Sequence, residues 1–233
     1  MPNRLPKERT KMSVNVSTIT TQKDYPPTVL DDEEIYYPST VENYMPESEL
    51  HFWLISHLAQ VLHLFFTSQK DVHVSGDLMF YYQKGNPRKF VAPDVMVLFG
   101  VDKQPRRIYK LWEEQVVPSL IIEIASGSTW REDLEKKYDL YESLGVKEYY
   151  IFDPEYKYLP SPFIAFHSKN YQFVSIETEQ NRVFSPVLNL ELVNTGETLR
   201  LFNPEAGEFL MTMEEMAQKL AELEKQNGRN KRK

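Results

Sequence analysis

Cysteine is absent from the 233 residues. That excludes a disulfide framework and every cysteine-based metal or nucleophile site. Long apolar runs are absent as well; none approaches the roughly 20 residues of a membrane-spanning helix. The N-terminal stretch MPNRLPKERTKMSVNVSTITTQ lacks the apolar core of a secretory signal. The expectation is therefore a soluble, cytoplasmic protein with no membrane partner. Basic charge is not in excess, because the formal net charge is −7. This argues against broad, charge-driven nucleic-acid binding but leaves room for a local basic groove. The candidates for such a groove are Lys84, Arg88, Lys89, Lys103, Arg106, Arg107 and Lys110. Neither a Gly-rich phosphate loop nor a nucleophile-elbow serine is present.

What the chain does contain is enough apolar material for one good-sized core plus tails: 41% hydrophobic and 13% aromatic residues. Residues 1–30 are polar and read as a disordered arm. The main domain spans 31–211 and opens on an acidic, extended segment with Pro38 and Pro46. A helix starts near Ser48, with apolar residues at Trp53, Leu54, Leu58, Val61, Leu62 and Phe65, and ends at Ser68-Gln69-Lys70. Residues 71–82 read as one strand with a bulge at Gly76, and Lys84-Gly85-Asn86-Pro87 as a turn. Strands follow around Asp94 and Glu123, separated by a short element at 109–112. Gly127-Ser128-Thr129 opens a second helix with an apolar stripe of Leu134, Tyr138, Tyr141 and Leu144, and Gly145 stops it. Residues 149–152 form a fourth strand. Residues 163–166 and 171–174 form a hairpin. Leu188, Leu190 and Leu192 alternate as in a strand, and 199–202 pairs with 208–210. A last helix, 212–227, carries the capping box Thr212-x-x-Glu215 and a short heptad seam of Met213, Met216, Leu220 and Leu223. Residues 228–233 are a basic tail. The order predicts an α/β (α+β) fold, a mixed sheet flanked by helices, with extra C-terminal β units and a terminal helix.

Two carboxylates stand inside apolar, strand-like runs, and such groups are costly to bury unless paired or bound to a metal. Asp94 follows Pro93, which favours extended backbone before it and removes one ladder donor; the alternative is a turn or cap aspartate. Glu123 lies in Leu120-Ile121-Ile122-Glu123-Ile124-Ala125, apolar on both parities, as in a strand covered on both faces. Its alternative is an internal salt bridge. Two such carboxylates converging on one point could hold Mg²⁺, which prefers oxygen ligands. Asp133, Lys137 and Tyr141 are four apart, hence on one helix face. They are either an ordinary surface pair beside an aromatic, or a lysine reaching back to the carboxylates. Asp77 and Glu49 are further metal-ligand candidates; a bulge residue and a helix-start glutamate are their plain alternatives. His51, His57 and His63 share a helix without the i, i+4 spacing of a zinc pair and read as partly buried helix residues.

The succession Pro93-Asp94, Glu123-Ile124-Ala125-Ser126, Asp133-x-x-x-Lys137-x-x-x-Tyr141-x-x-x-Gly145-Val146-x-Glu148-Tyr149 and Asp153-Pro154 resembles the Uma-type endonucleases. These were formerly domain of unknown function 820, within the PD-(D/E)XK, restriction-endonuclease-like superfamily. The resemblance covers roughly residues 40–210. It implies a restriction-endonuclease-like core, use of Mg²⁺ or Mn²⁺, and hydrolysis of phosphodiester bonds in DNA. It matches Asp94 and Glu123 to the metal-binding, catalytic carboxylates. The chain departs from the superfamily pattern at residue 125, where the lysine would stand and Ala125 does. The resemblance implies that Lys137 supplies the amine, with Lys136 as fallback. The leading expectation is a metal-dependent endonuclease, acting as a homodimer through the C-terminal seam. The alternatives are a catalytically degenerate nucleic-acid-binding or interaction protein on the same fold, and a dimeric structural protein whose carboxylates are internal ion pairs.

Overall fold

The computed structural model describes residues 29–30, 34–39 and 48–230. The expected arm up to residue 28, part of the acidic approach segment and residues 231–233 of the basic tail lie outside the described residues. The chain divides into two units, Met1–Tyr36 and Tyr37–Lys233. The first contains one antiparallel pair of two-residue strands, β1 (Val29–Leu30) and β2 (Glu34–Ile35).

The second unit opens with helix α1 (Glu49–Phe65), whose start is capped as its sequence predicts: the Ser48 side chain accepts the His51 N–H at 3.2 Å. Three strands and a small sheet follow: β3 (Val72–Gly76), β4 (Phe80–Tyr81), β5 (Phe90–Val91), β6 (Val95–Phe99) and β7 (Tyr109–Lys110), then the single turn α2 (Leu111–Glu114) and β8 (Leu120–Ile124). A helical segment crosses over in three parts: α3 (Trp130–Glu132), a π-helical turn (Asp133–Lys137) and α4 (Tyr138–Leu144). Gly145, at φ 83°, ends it in the left-handed conformation that favours glycine. Then come β9 (Glu148–Phe152), β10 (Phe163–Lys169), β11 (Gln172–Ile176), β12 (Arg182–Ser185), β13 (Leu190–Asn194), β14 (Leu199–Asn203), β15 (Glu208–Phe209) and α5 (Met213–Asn230).

The central sheet runs β11-β10-β9-β8-β6-β3, with β8 and β9 parallel and the other neighbours antiparallel. Because side chains alternate across a strand, each central strand feeds two cores. On one face Val95, Val97, Leu120, Ile122, Ile124, Tyr150 and Phe152 pack with Leu54, Leu58 and Leu62 of α1. The antiparallel sheet β12-β13-β14-β15 adds Leu190, Leu192, Leu199 and Leu201 to this core. On the other face Met96, Leu98, Ile121, Tyr149 and Ile151 pack with Tyr141 and with Phe80 and Tyr109 of the small sheet β5-β4-β7. The mixed α/β architecture expected from the element order is the one found. The reciprocal capping box also forms: Thr212 N–H donates to Glu215 Oε2 at 2.8 Å, and Glu215 N–H to Thr212 Oγ1 at 3.0 Å. Helix α5 continues to Asn230, beyond the expected end at 227.

Several expectations need correction. Residues 71–82 are not one bulged strand: the chain breaks after Gly76, and β3 and β4 belong to different sheets. Asp77 sits at φ 48°. A Cβ on Gly76 would stand 3.1 Å from Ile55 Cγ2 and 3.3 Å from the Asp94 carbonyl oxygen, so a larger residue would press its neighbours apart by a few tenths of an ångström. Trp53 is exposed rather than packed, because the buried stripe of α1 is centred on Leu54, Leu58 and Leu62. Leu188 is buried ahead of β13, after which Asn189 turns the chain at φ 56°. Strand β12 had no sequence signal; Arg-Val-Phe-Ser buries only alternate residues and leaves Phe184 exposed. The hairpin of β10 and β11 forms, tightened by positive φ at Asn170 and Tyr171 between the paired Lys169 and Gln172. Among the described residues, no helix is long and apolar enough to cross a membrane.

Candidate active site

The geometry of the two carboxylates follows from the pairing of β6 with β8. Val95 stands opposite Ile122 in this antiparallel pair. The next residues along, Asp94 and Glu123, therefore meet where Pro93 interrupts the ladder. Side chains replace the missing backbone bonds there. The Asp94 N–H donates to Glu123 Oε2 at 3.3 Å, and the Ile124 N–H donates to Asp94 Oδ2 at 2.6 Å. Both carboxylates are buried, Asp94 at 7% exposure and Glu123 at 0%.

The crossover helix closes over Glu123. Lys137 Nζ lies 2.9 Å from Glu123 Oε2 and 2.9 Å from Asp133 Oδ1, and the Tyr141 hydroxyl donates to Glu123 Oε1 at 2.6 Å. Asp133, Lys137 and Tyr141 thus share one face directed at the sheet, as their spacing suggests. The π-helical turn that carries Asp133 and Lys137 was not foreseen; such turns are frequent at functional sites. Lys136 is exposed, so the structure brings Lys137, not Lys136, to the carboxylates. Ala125 is buried, and its N–H pairs with the Phe152 carbonyl at 2.7 Å.

His51 is the participant that sequence reasoning missed. It is buried, with Nε2 3.1 Å from Asp94 Oδ2. The signal was available: His51 precedes Leu54, Leu58 and Leu62 by three, seven and eleven positions on the inward stripe of α1. His57 is half-buried and His63 exposed. The other two ligand candidates fall differently. Glu49 is exposed and accepts a long hydrogen bond from Trp53 Nε1 at 3.5 Å. Asp77 adjoins the site through its backbone, its N–H reaching the Pro93 carbonyl at 3.1 Å and the Asp94 carbonyl at 3.3 Å. A shallow surface depression lined by Arg200, Phe209, Met211, Glu215 and Lys219 involves none of these residues.

Three buried carboxylates around one lysine leave the cluster short of positive charge. Burial pushes Glu123 up to about 8, reinforced by Asp94 and Asp133, and Lys137 offsets only part of this. Burial likewise raises Asp133. Lys137 meets its Oδ1 as an ion pair, and the Thr129 side chain lowers Asp133 in part. Burial alone would lower Lys137, but Glu123, Asp133 and Asp94 outweigh it and hold the ammonium above its ordinary value. Tyr141 is raised by burial and by its contact with Glu123, so it is a hydrogen-bond donor throughout the neutral range. The cluster can therefore bind a proton or a cation at Glu123 while Lys137 stays charged.

A family model described as Uma2, putative restriction endonuclease, matches residues 35–201. A solved crystal structure of a putative nuclease belonging to DUF820, from Anabaena variabilis, is similar to 64% of this chain over 78% of its own. The sequence identity is 16% and the TM-score 0.45. No curated protein matches.

The raised Glu123 has a measurable consequence. A folded-state carboxyl that holds its proton more tightly than the unfolded chain adds stability at low pH and loses it as pH rises through the window from about 4.5 to about 8. In EDTA, Glu123→Gln removes this dependence. Its stability relative to the parent should rise across that window, by at most about 1.4 kcal/mol per pH unit. Urea denaturation at a series of pH values checks this; parallel profiles for the two proteins would contradict it.

Proposed function

This chain belongs to the Uma2 family, described as putative restriction endonucleases, and on that premise we propose a metal-dependent endonuclease that hydrolyses phosphodiester bonds of DNA. One observation carries the reading: Asp94 and Glu123 adjoin on neighbouring strands with the Lys137 ammonium 2.9 Å from Glu123. The donor chemistry fits Mg²⁺ or Mn²⁺. Carboxylate oxygens are hard ligands, and three carboxylates against one lysine leave room for a cation's charge. Among the described residues no three His, Asp or Glu side chains form a ready-made metal cage. Asp94 and Glu123 would therefore be the two firm protein ligands, with Asp77 as the candidate third, and waters and phosphate oxygens would complete the shell. A bound metal would supply an activated water and offset charge on the phosphate.

The protein's own groups have distinct tasks in this reading. Tyr141 and Lys137 fix the two oxygens of Glu123, while His51 and the Ile124 N–H hold Oδ2 of Asp94. Lys137 remains protonated at neutral pH, so it orients water or phosphate as a cation and hydrogen-bond donor and does not accept the proton. A binding protein without catalysis is the second reading. It is favoured by the complete burial of Glu123, whose two oxygens both have protein partners. A dimer through α5 belongs to the first reading, because Met213, Leu220 and Leu223 are exposed along its seam.

Three measurements test these statements. Supercoiled plasmid should be nicked with Mn²⁺ or Mg²⁺, not with EDTA. Nicking should fall below detection in Asp94→Ala and at least about 100-fold in Lys137→Ala; Lys136→Ala should retain it. Absence of cutting by any form, with folded protein and varied substrates, would favour the second reading. His51→Ala should weaken Mn²⁺ binding by roughly 10- to 100-fold in calorimetry; unchanged affinity would remove His51 from the orienting role. Sedimentation equilibrium should show a dimer that Leu220→Glu dissociates, and a monomeric parent would refute the seam.

A further inference from the structure

We propose that the β4–β5 hairpin is an arm that grips the phosphate backbone of duplex DNA beside the carboxylate site, an inference that rests on the nuclease reading above. The starting point is the fate of the seven candidate cations. Three are consumed by the protein itself. Lys103 Nζ caps the end of α1 through the Phe66 and Thr67 carbonyls. Arg106 is held by Glu114 at 2.6 Å and Asp102 at 2.8 Å, and Lys110 pairs with Glu113 at 3.0 Å. Arg107 is exposed ahead of β7. Lys84, Arg88 and Lys89 all lie in the connection between β4 and β5, all exposed, and no ion pair falls on them among the described residues.

A basic turn is ordinarily a solvated tip, but this one is fastened at both ends. At the tip, the Gly85 N–H donates to the Tyr37 hydroxyl at 2.7 Å, and the Arg88 N–H to Asn86 Oδ1 at 3.1 Å. The Lys89 N–H closes a turn on the Asn86 carbonyl at 3.1 Å. Tyr37 is itself clamped between Tyr81 and Trp112, at ring separations of 5.1 and 4.9 Å. Three cations are therefore presented on an ordered backbone, which reduces the entropy lost on binding. At the base, the Asp77 N–H bonds to the Pro93 and Asp94 carbonyls, so the arm begins and ends at the carboxylate site. Phe80 packs into the same core as Tyr141, which places arm and lysine-bearing helix on one face of the central sheet. Arg88 precedes Asp94 by six positions, a reach of at most about 20 Å. That is the axial rise of about six base pairs of duplex. In a chain of net charge −7, a localised cationic arm supplies the attraction that the whole surface does not.

The test uses the full chain carrying Lys137→Ala, so that duplex survives in Mn²⁺, and follows binding of a labelled duplex by fluorescence anisotropy over a range of salt. Adding Lys84→Gln, Arg88→Gln and Lys89→Gln should lower affinity at least about tenfold at about 0.1 M salt and reduce the salt slope by about 2.7. Mn²⁺ binding should be unchanged. Tyr37→Phe, which leaves every charge in place, should weaken binding severalfold without changing the slope. Unaltered affinity and slope in the triple variant, with the parent binding duplex, would overturn the arm and leave the nuclease reading intact. A parent that binds Mn²⁺ but no duplex would overturn both. Tighter binding to phosphatidylserine vesicles than to duplex would assign the arm to a membrane surface and overturn it too.

Discussion

The structure turns on the cost of burying Glu123. Strand β8 is covered on both faces, and all five of its residues are buried. A carboxylate placed there loses its hydration and must be compensated locally. Everything around it answers that requirement: Lys137 and Tyr141 come from the crossover helix, and the Asp94 N–H comes from the neighbouring strand. The compensation is incomplete, because Asp94 and Asp133 add negative charge to the same small volume. Buried ion pairs of this kind are weak evidence for stability, since an apolar replacement of similar volume is often no worse. A cluster that is costly, buried and still unbalanced is the feature on which the proposed cation site rests.

The surrounding fold makes that cluster possible without itself being polar. Two apolar cores, one under α1 and the C-terminal sheet, the other under the crossover helix and the small sheet, hold β6 and β8 side by side. Asp94 lies where the ladder between them ends, so its carboxylate can accept a backbone N–H from Ile124 that would otherwise seek a strand partner. The close approach of Gly76 to α1 and to the Asp94 carbonyl places the helix against that end of the sheet, and the same helix carries His51. Helix packing, strand register and site geometry are thus one arrangement seen at three scales.

Much of this was legible in the sequence because it is periodic. An uninterrupted apolar run around one glutamate signalled a doubly covered strand, and the four-residue spacing of Asp133, Lys137 and Tyr141 placed them together. Departures from periodicity were not legible. The break after Gly76 lies where Ile55 and the Asp94 carbonyl come close to it from distant parts of the chain, and the π-helical turn is a detail of hydrogen bonding that its sequence does not announce. His51 finds its partner 43 positions away, a distance over which helical spacing says only which face a residue occupies. The division of basic residues into spent and unspent charges likewise required their partners. The Uma2 match over residues 35–201 agrees with the motif order, which put Lys137 ahead of Lys136. The exposure of one and the ion pairs of the other separate them.

The most direct measurement of the central claim is proton release on Mn²⁺ binding, obtained by calorimetry at pH 7 in two buffers of different ionisation enthalpy. Burial raises the Glu123 carboxyl well above an ordinary glutamate, so Mn²⁺ binding at that pH should release protons. Release should fall as the starting pH is raised above neutrality. Mn²⁺ binding without proton release, or no Mn²⁺ binding at all, would contradict the account of the cluster as a metal-poised site.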